Sequence, residues 1–144
     1  MNKLLILLLL SILATIISAA RPRFGHDSSL FRALSIRGGA VSHPNDAGSF
    51  NKILNSSGED LVVVDFSATW CGPCKMIAPV FEEMSNEFGG VVFVKIDVDE
   101  VPEIAQKYQV MAMPTFLFLR KGEIVGRFSG ASGDKLREML ASLM

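Results

Sequence analysis

Apolar positions fall into three regimes along the chain. From Leu4 to Ala20 they are almost continuous. From Asp46 to Tyr108 stretches with helical spacing alternate with unbroken β-branched runs. Asp46 is placed to cap a helix running through Asn55, with Phe50, Ile53 and Leu54 on its core face and Ser56-Ser57-Gly58 stopping it. A short strand is expected just before it, at 39–42. Leu61-Val62-Val63-Val64-Asp65-Phe66 predicts a central strand buried on both faces; Asp65 is the anomaly within it. Pro73 suits a first helical turn, and Lys75 to Phe88 continues as a helix with Met76, Ile77, Val80, Phe81 and Met84 on one side. Val91 to Asp97 is the next strand and Val101 to Tyr108 a short helix. Such alternation implies parallel strands joined by crossover helices.

After Met113-Pro114 the third regime begins. Thr115 to Leu119 and Glu123 to Ser129 are strands separated by Arg120-Lys121-Gly122, too close for a crossover, so they form an antiparallel hairpin. Gly133-Asp134 opens a last helix with Leu136, Leu140 and Leu143 facing the sheet. The fold class is α/β: a central mixed sheet flanked by helices on both faces, in one domain over residues 41–144.

The first regime changes the picture of what precedes that domain. Lys3 followed by the apolar run and by Ser18-Ala19-Ala20 reads as a secretory signal peptide at 1–20, with an uncleaved signal anchor as the competing reading. Residues 21–40 are rich in Arg, Ser and Gly and nearly free of acids, as organellar transit peptides are; a plain linker has the same composition. A signal followed by a transit-like stretch is similar to the two-part leaders of proteins sent to plastids acquired from a eukaryotic alga. The likeness is imperfect, because the cut would expose Arg21 where such leaders carry an aromatic. The chain thus enters the secretory pathway and ends either in a plastid or in the endoplasmic reticulum or outside the cell. Membrane contact is expected only if the leader stays attached.

Charge supports the division. Of 14 basic and 15 acidic residues, five basic and one acidic lie before Val41, which leaves a net-acidic domain. It offers no basic surface for nucleic acid. Both cysteines lie in one Cys71-Gly72-Pro73-Cys74 unit, so no disulfide framework can be built. Four zinc ligands are not at hand either, since His26 and His43 sit at or before the domain edge, and the lack of a histidine further inside leaves a cysteine protease poorly supported.

A Cys-x-x-Cys unit at a strand-to-helix junction puts the first sulfur at a helix N-terminus, where free N–H groups and the helix dipole favour a thiolate. Cys71 is therefore the expected nucleophile. Cys74, one turn on, is positioned to attack a mixed disulfide on Cys71 and release a reduced substrate.

Trp70-Cys71-Gly72-Pro73-Cys74-Lys75 resembles the active-site motif of the thioredoxin family. Val63-Val64-Asp65-Phe66, Met113-Pro114-Thr115, Lys121-Gly122 and Phe128-Ser129-Gly130-Ala131 recur in order at the family's spacings. The resemblance covers about 41–144 and implies a thioredoxin fold. It implies that Asp65 is the buried carboxylate behind the cysteines, acting as acid/base for Cys74; the alternative is an Asp paired with Lys95. It implies that Pro114 is a cis-proline beside the disulfide, and that Trp70, Met111, Ala112, Met113, Gly130 and Ala131 form a flat docking surface; the alternatives are a trans strand-initiating proline and methionines that merely fill the core.

Gly72 and Pro73 modulate direction. Disulfide isomerases and oxidants of this superfamily usually carry His before the second Cys, and Pro73 in that place favours a reductase. The function implied is a protein-disulfide reductase serving cell redox homeostasis and electron transport, with no bound cofactor beyond the redox-active Cys71–Cys74 pair. Its partners would be disulfide-containing proteins and an upstream thioredoxin reductase that is NADPH- or ferredoxin-dependent. The competing functions are a secretory-pathway oxidant or isomerase and a non-catalytic binding or chaperone module.

Overall fold

The two β-branched runs become neighbouring parallel strands of a four-stranded sheet. A computed structural model describes residues 39–144. The leader readings over 1–38 lie outside the described residues. In chain order the elements are α1 (Ala47–Ser57), β1 (Leu61–Ser67), α2 (Gly72–Glu87), β2 (Val91–Asp97), α3 (Pro102–Lys107), β3 (Thr115–Arg120), β4 (Glu123–Ser129) and α4 (Gly133–Leu143). The strand order is β2-β1-β3-β4. β1 pairs parallel with β2, Leu61 opposite Val91 through Ser67 opposite Asp97. It pairs antiparallel with β3, Asp65 opposite Phe116.

Strand alternation sorts the core into two halves. Val63, Phe93, Phe116 and Phe118 face Ile77, Phe81 and Met84 of α2 and Leu136 and Leu140 of α4. Val62, Val64, Phe66, Val94, Ile96, Leu117 and Leu119 face Phe50 of α1 and Ile104 of α3. All seven residues of β1 are buried, as a central strand covered by helices on both faces must be. Asp65 shares its sheet face with Val63, and therefore lies on the side covered by α2.

Several boundaries have visible causes. Asp46 caps α1 through a capping box, its Oδ1 accepting from the Ser49 N–H at 2.7 Å. α1 runs two residues past the expected stop because Ser56 and Ser57 return their hydroxyls to the Ile53 carbonyl; Gly58, at φ 57°, ends it. The strand expected at 39–42 reduces to one parallel bridge between Ser42 and Val94. Gly39 at φ 120° leaves the extended region, and Pro44 has no N–H to continue a ladder. Met76, expected on the core face of α2, is 69% exposed. The buried positions Cys74, Ile77, Phe81 and Met84 follow 3–4 spacing, and Met76 stands one residue off that line.

The last two connections matter for the site. Lys121 (φ 55°) and Gly122 (φ 78°) form the two-residue, doubly positive-φ turn that matches strand twist in hairpins. α3 ends in a Schellman arrangement: the Gln109 N–H donates to the Gln106 carbonyl at 3.0 Å and the Val110 N–H to the Ala105 carbonyl at 2.9 Å. The left-handed residue of that motif is ordinarily glycine; here Gln109 takes it at φ 51°, at a cost of about 1 kcal/mol.

Candidate active site

The parallel register of β1 and β2 brings their carboxy ends to one edge of the sheet, and the redox cysteines sit there. β1 ends at Ser67, and Cys71 is the N-cap of α2 with extended backbone (φ −81°, ψ 109°). Its N–H donates to the Ala68 carbonyl at 3.1 Å. Its Sγ accepts from the Cys74 N–H at 3.2 Å, so a helix-terminal donor that would otherwise lack a partner points at sulfur. Cys71 and Cys74 are joined by a disulfide. Both are buried, packed with Ala68 and bordered by Val98 and Met113. Gly72 and Pro73 lie exposed on the first turn of α2.

Around the buried disulfide the surface is apolar and open. Trp70 is 65% exposed and Met111 91% exposed; Ala112, Gly130 and Ala131 are also exposed, and Met113 is half-buried. The Met113–Pro114 peptide is cis. The Pro114 carbonyl accepts from the Gly130 N–H at 2.9 Å, which ties the end of β4 to the proline. Of the residues expected to form a docking surface, Met113 borders the disulfide and Gly130 is tied to Pro114. The methionine at position 111 is no core filler, and Met113 is half-buried against the cluster of Ala68, Cys71 and Cys74.

Residues that sequence reading passed over complete the frame. The Trp70 indole Nε1 donates to Asp99 Oδ2 at 2.8 Å, and Asp97 Oδ1 accepts from the Asp99 N–H at 2.9 Å. Two acids spaced by one residue at the carboxy end of the strand next to β1 were the available signal. Thr115 donates to the Ala112 carbonyl at 2.7 Å or shares its hydroxyl proton with Ser129 Oγ at 2.7 Å. That pairing depends on the β3–β4 register and leaves no mark in a linear sequence.

Asp65 is fully buried, and neither carboxyl oxygen has a hydrogen-bond partner among the described residues. Burial pushes its pKa up from 3.8 to about 7, against the weaker downward pull of the Lys95 charge. Lys95 is its register partner on β2, yet the two form no ion pair, which corrects the reading of Asp65 as a paired structural acid. Lys95 is half-exposed and lines a groove of about 460 Å³ together with Ser67, Ala68, Thr69, Cys74, Lys75, Ala78 and Asp97. An ammonium keeps its hydration there, whereas reaching the carboxylate would require both charges to be desolvated. Among the described residues, no group of three His, Cys, Asp or Glu side chains is placed to hold a metal ion.

A cysteine pair closed into a disulfide at a helix N-terminus, bordered by apolar side chains, defines a thiol:disulfide oxidoreductase. The thioredoxin family model matches residues 41–142. Rabbit (Oryctolagus cuniculus) thioredoxin is 52% identical over 104 residues, which is 72% of this chain and 99% of the rabbit protein. The crystal structure of reduced Schistosoma mansoni thioredoxin pre-protein superposes with a TM-score of 0.70 at 44% identity, covering 72% of this chain and 98% of that one. Thioredoxin f from spinach chloroplast gives 0.71 at 32% identity, covering 77% and 92%. The chain belongs to the thioredoxin family, and its activity is that of a disulfide reductase whose redox-active group is its own cysteine pair.

Proposed function

We propose that Cys71 is the attacking sulfur, Cys74 the resolving one and Asp65 the acid/base that serves Cys74. In the reduced protein the Cys71 thiolate attacks a substrate disulfide, forming a Cys71–substrate bond and expelling one substrate thiolate. Asp65, ionised and on the α2 side of the sheet, takes the Cys74 proton. The Cys74 thiolate then attacks Cys71 Sγ, closes the intramolecular disulfide and releases the second substrate thiolate, which is protonated. Two electrons pass from the dithiol to the substrate. An upstream thioredoxin reductase, drawing on NADPH or ferredoxin, returns them, so that the chain works in electron transport and redox homeostasis.

The observation that carries this reading is the Cys74 N–H aimed at Cys71 Sγ at the start of α2. Once the disulfide opens, that donor and the helix dipole stabilise negative charge on Cys71, the less buried end of the pair's reaction path towards Trp70 and Met113. Trp70 and Met113 serve, with Pro114, Gly130 and Ala131, as the substrate contact.

The deciding measurement is the reduction potential of the full chain, equilibrated against a dithiothreitol or glutathione series. The expected result is close to the general figure for thioredoxins, about −270 mV. A value at or above about −180 mV, the general figure for protein disulfide isomerase, would instead assign an oxidant or isomerase.

We further propose that residues 1–40 are a targeting leader: a signal segment at 1–20 and a transit-like segment at 21–40. Its support is the apolar run behind Lys3, the small residues before Arg21, and the acid-poor stretch that follows. Of the two destinations, a plastid supplies a reductant more readily than an oxidising secretory compartment does. A fluorescent reporter fused behind residues 1–40 should enter an organelle; a cytosolic signal would exclude both destinations.

A further inference from the structure

Arg127 lies on β4, the edge strand farthest from β2, and it touches none of the redox residues. Its guanidinium donates to two consecutive carbonyls, Tyr108 through Nη1 at 3.0 Å and Gln109 through Nη2 at 2.6 Å. These carbonyls lie just past the end of α3, on its C-cap residue and the next, in the turn where Gln109 occupies a left-handed conformation that a glycine would adopt freely. A planar cation with forked donors suits such a helix end, where carbonyl oxygens and the helix dipole both present negative charge.

The segment leaving this turn runs through Val110, Met111, Ala112 and Met113 to Pro114. Two residues along the same face of β4, Ser129 meets Thr115, whose hydroxyl also lies against the Ala112 carbonyl. The segment that carries Met111 is therefore braced by one strand at both ends, by Arg127 where it leaves α3 and by Ser129 through Thr115 where it enters β3. Between the braces Met111 projects 91% exposed.

We infer that Arg127 is a positioning residue for protein-substrate docking: it holds Gln109 in its unfavourable backbone state and thereby presents Met111–Met113 beside the disulfide. The inference rests on the reading of that surface as the substrate contact. It concerns affinity for large substrates and leaves the cysteine chemistry untouched.

The test compares two substrates in the full chain. Arg127→Leu should raise KM for insulin, a protein disulfide, by about fivefold while leaving kcat in place. The rate with the small disulfide 5,5′-dithiobis(2-nitrobenzoate), which needs no extended contact, and the reduction potential should stay at their wild-type values. Arg127→Lys, with one compact donor group in place of the fork, should fall between. Adding Gln109→Gly to Arg127→Leu should recover most of the lost affinity, because glycine holds the left-handed state unaided. An unchanged KM for insulin, an equal fall with both substrates, or no recovery by Gln109→Gly would each overturn the assignment. If the wild-type chain reduced neither substrate, the assignment of the cysteine chemistry itself would fail, and that result is distinct from a failure of Arg127 alone.

Discussion

A Cys71→Ser protein is expected to lose more than about 10³-fold in protein-disulfide reduction, and Cys74→Ser to stop halfway. The two losses differ in kind. Without Cys71 no sulfur stands at the N-cap of α2, and a serine hydroxyl is not ionised there at neutral pH, so no covalent adduct forms. Without Cys74 the first attack proceeds, but nothing closes on Cys71 Sγ, and the substrate remains attached. Mass spectrometry of the reaction mixture separates them: Cys71→Ser shows the unmodified mass, and Cys74→Ser the mass of a chain carrying substrate through Cys71. Accumulation of adduct on Cys71→Ser would reverse the assigned roles.

Asp65→Asn should make the protein more stable, and only on the alkaline side. The folded-state pKa of Asp65, about 7, lies above the ordinary 3.8. Below pH 3.8 the carboxyl is protonated whether the chain is folded or not, and its burial carries no ionisation penalty. Between 3.8 and 7 the unfolded chain releases the proton and the folded one keeps it, so stability falls as pH rises. Above 7 the loss is complete, at roughly 4 kcal/mol. Asparagine does not titrate. Urea unfolding of the oxidised proteins should show coincident midpoints near pH 3.5 and a more stable variant at pH 8.5. Equal stability at both values would mean that Asp65 is not held in an apolar setting.

The same substitution should slow release of substrate from the Cys71 adduct by about 10²-fold, the low end of what a positioned base contributes. Wild-type release should accelerate as pH rises through 7, and the variant should lack that rise. Stability gained and resolution lost in one residue would identify Asp65 as a group retained for chemistry against the interest of the fold.

The sequence was informative wherever a single local pattern decided the outcome. The runs at 61–66 and 91–97 are unambiguous because both sheet faces are buried, and β2 and β4 begin and end where hydropathy and turn residues say they should. Cys71 as a helix cap follows from Pro73 two residues on. What stayed hidden depends on register between distant segments. Met76 and Ile77 look equivalent until the helix is set on the sheet. Asp65 and Lys95 look like a pair until the lysine is found in the groove beside Cys74. The Trp70–Asp99 bond, the Thr115–Ser129 contact and the Arg127 brace join residues 29, 14 and up to 19 positions apart, and no window of sequence contains the geometry that makes them meet.

The position of β3 between β1 and β4 also has a temporal side. β1 lies beside β2, which follows it closely, but its other edge waits for β3, whose Leu119 pairs with Val62. On a ribosome, Cys71 and Cys74 therefore emerge well before Pro114, Gly130 and the strand that braces Met111. A chain made only to the end of β2 carries both sulfurs without most of the surface that selects what they meet, and the reductase acquires its discrimination only as β3 and β4 follow.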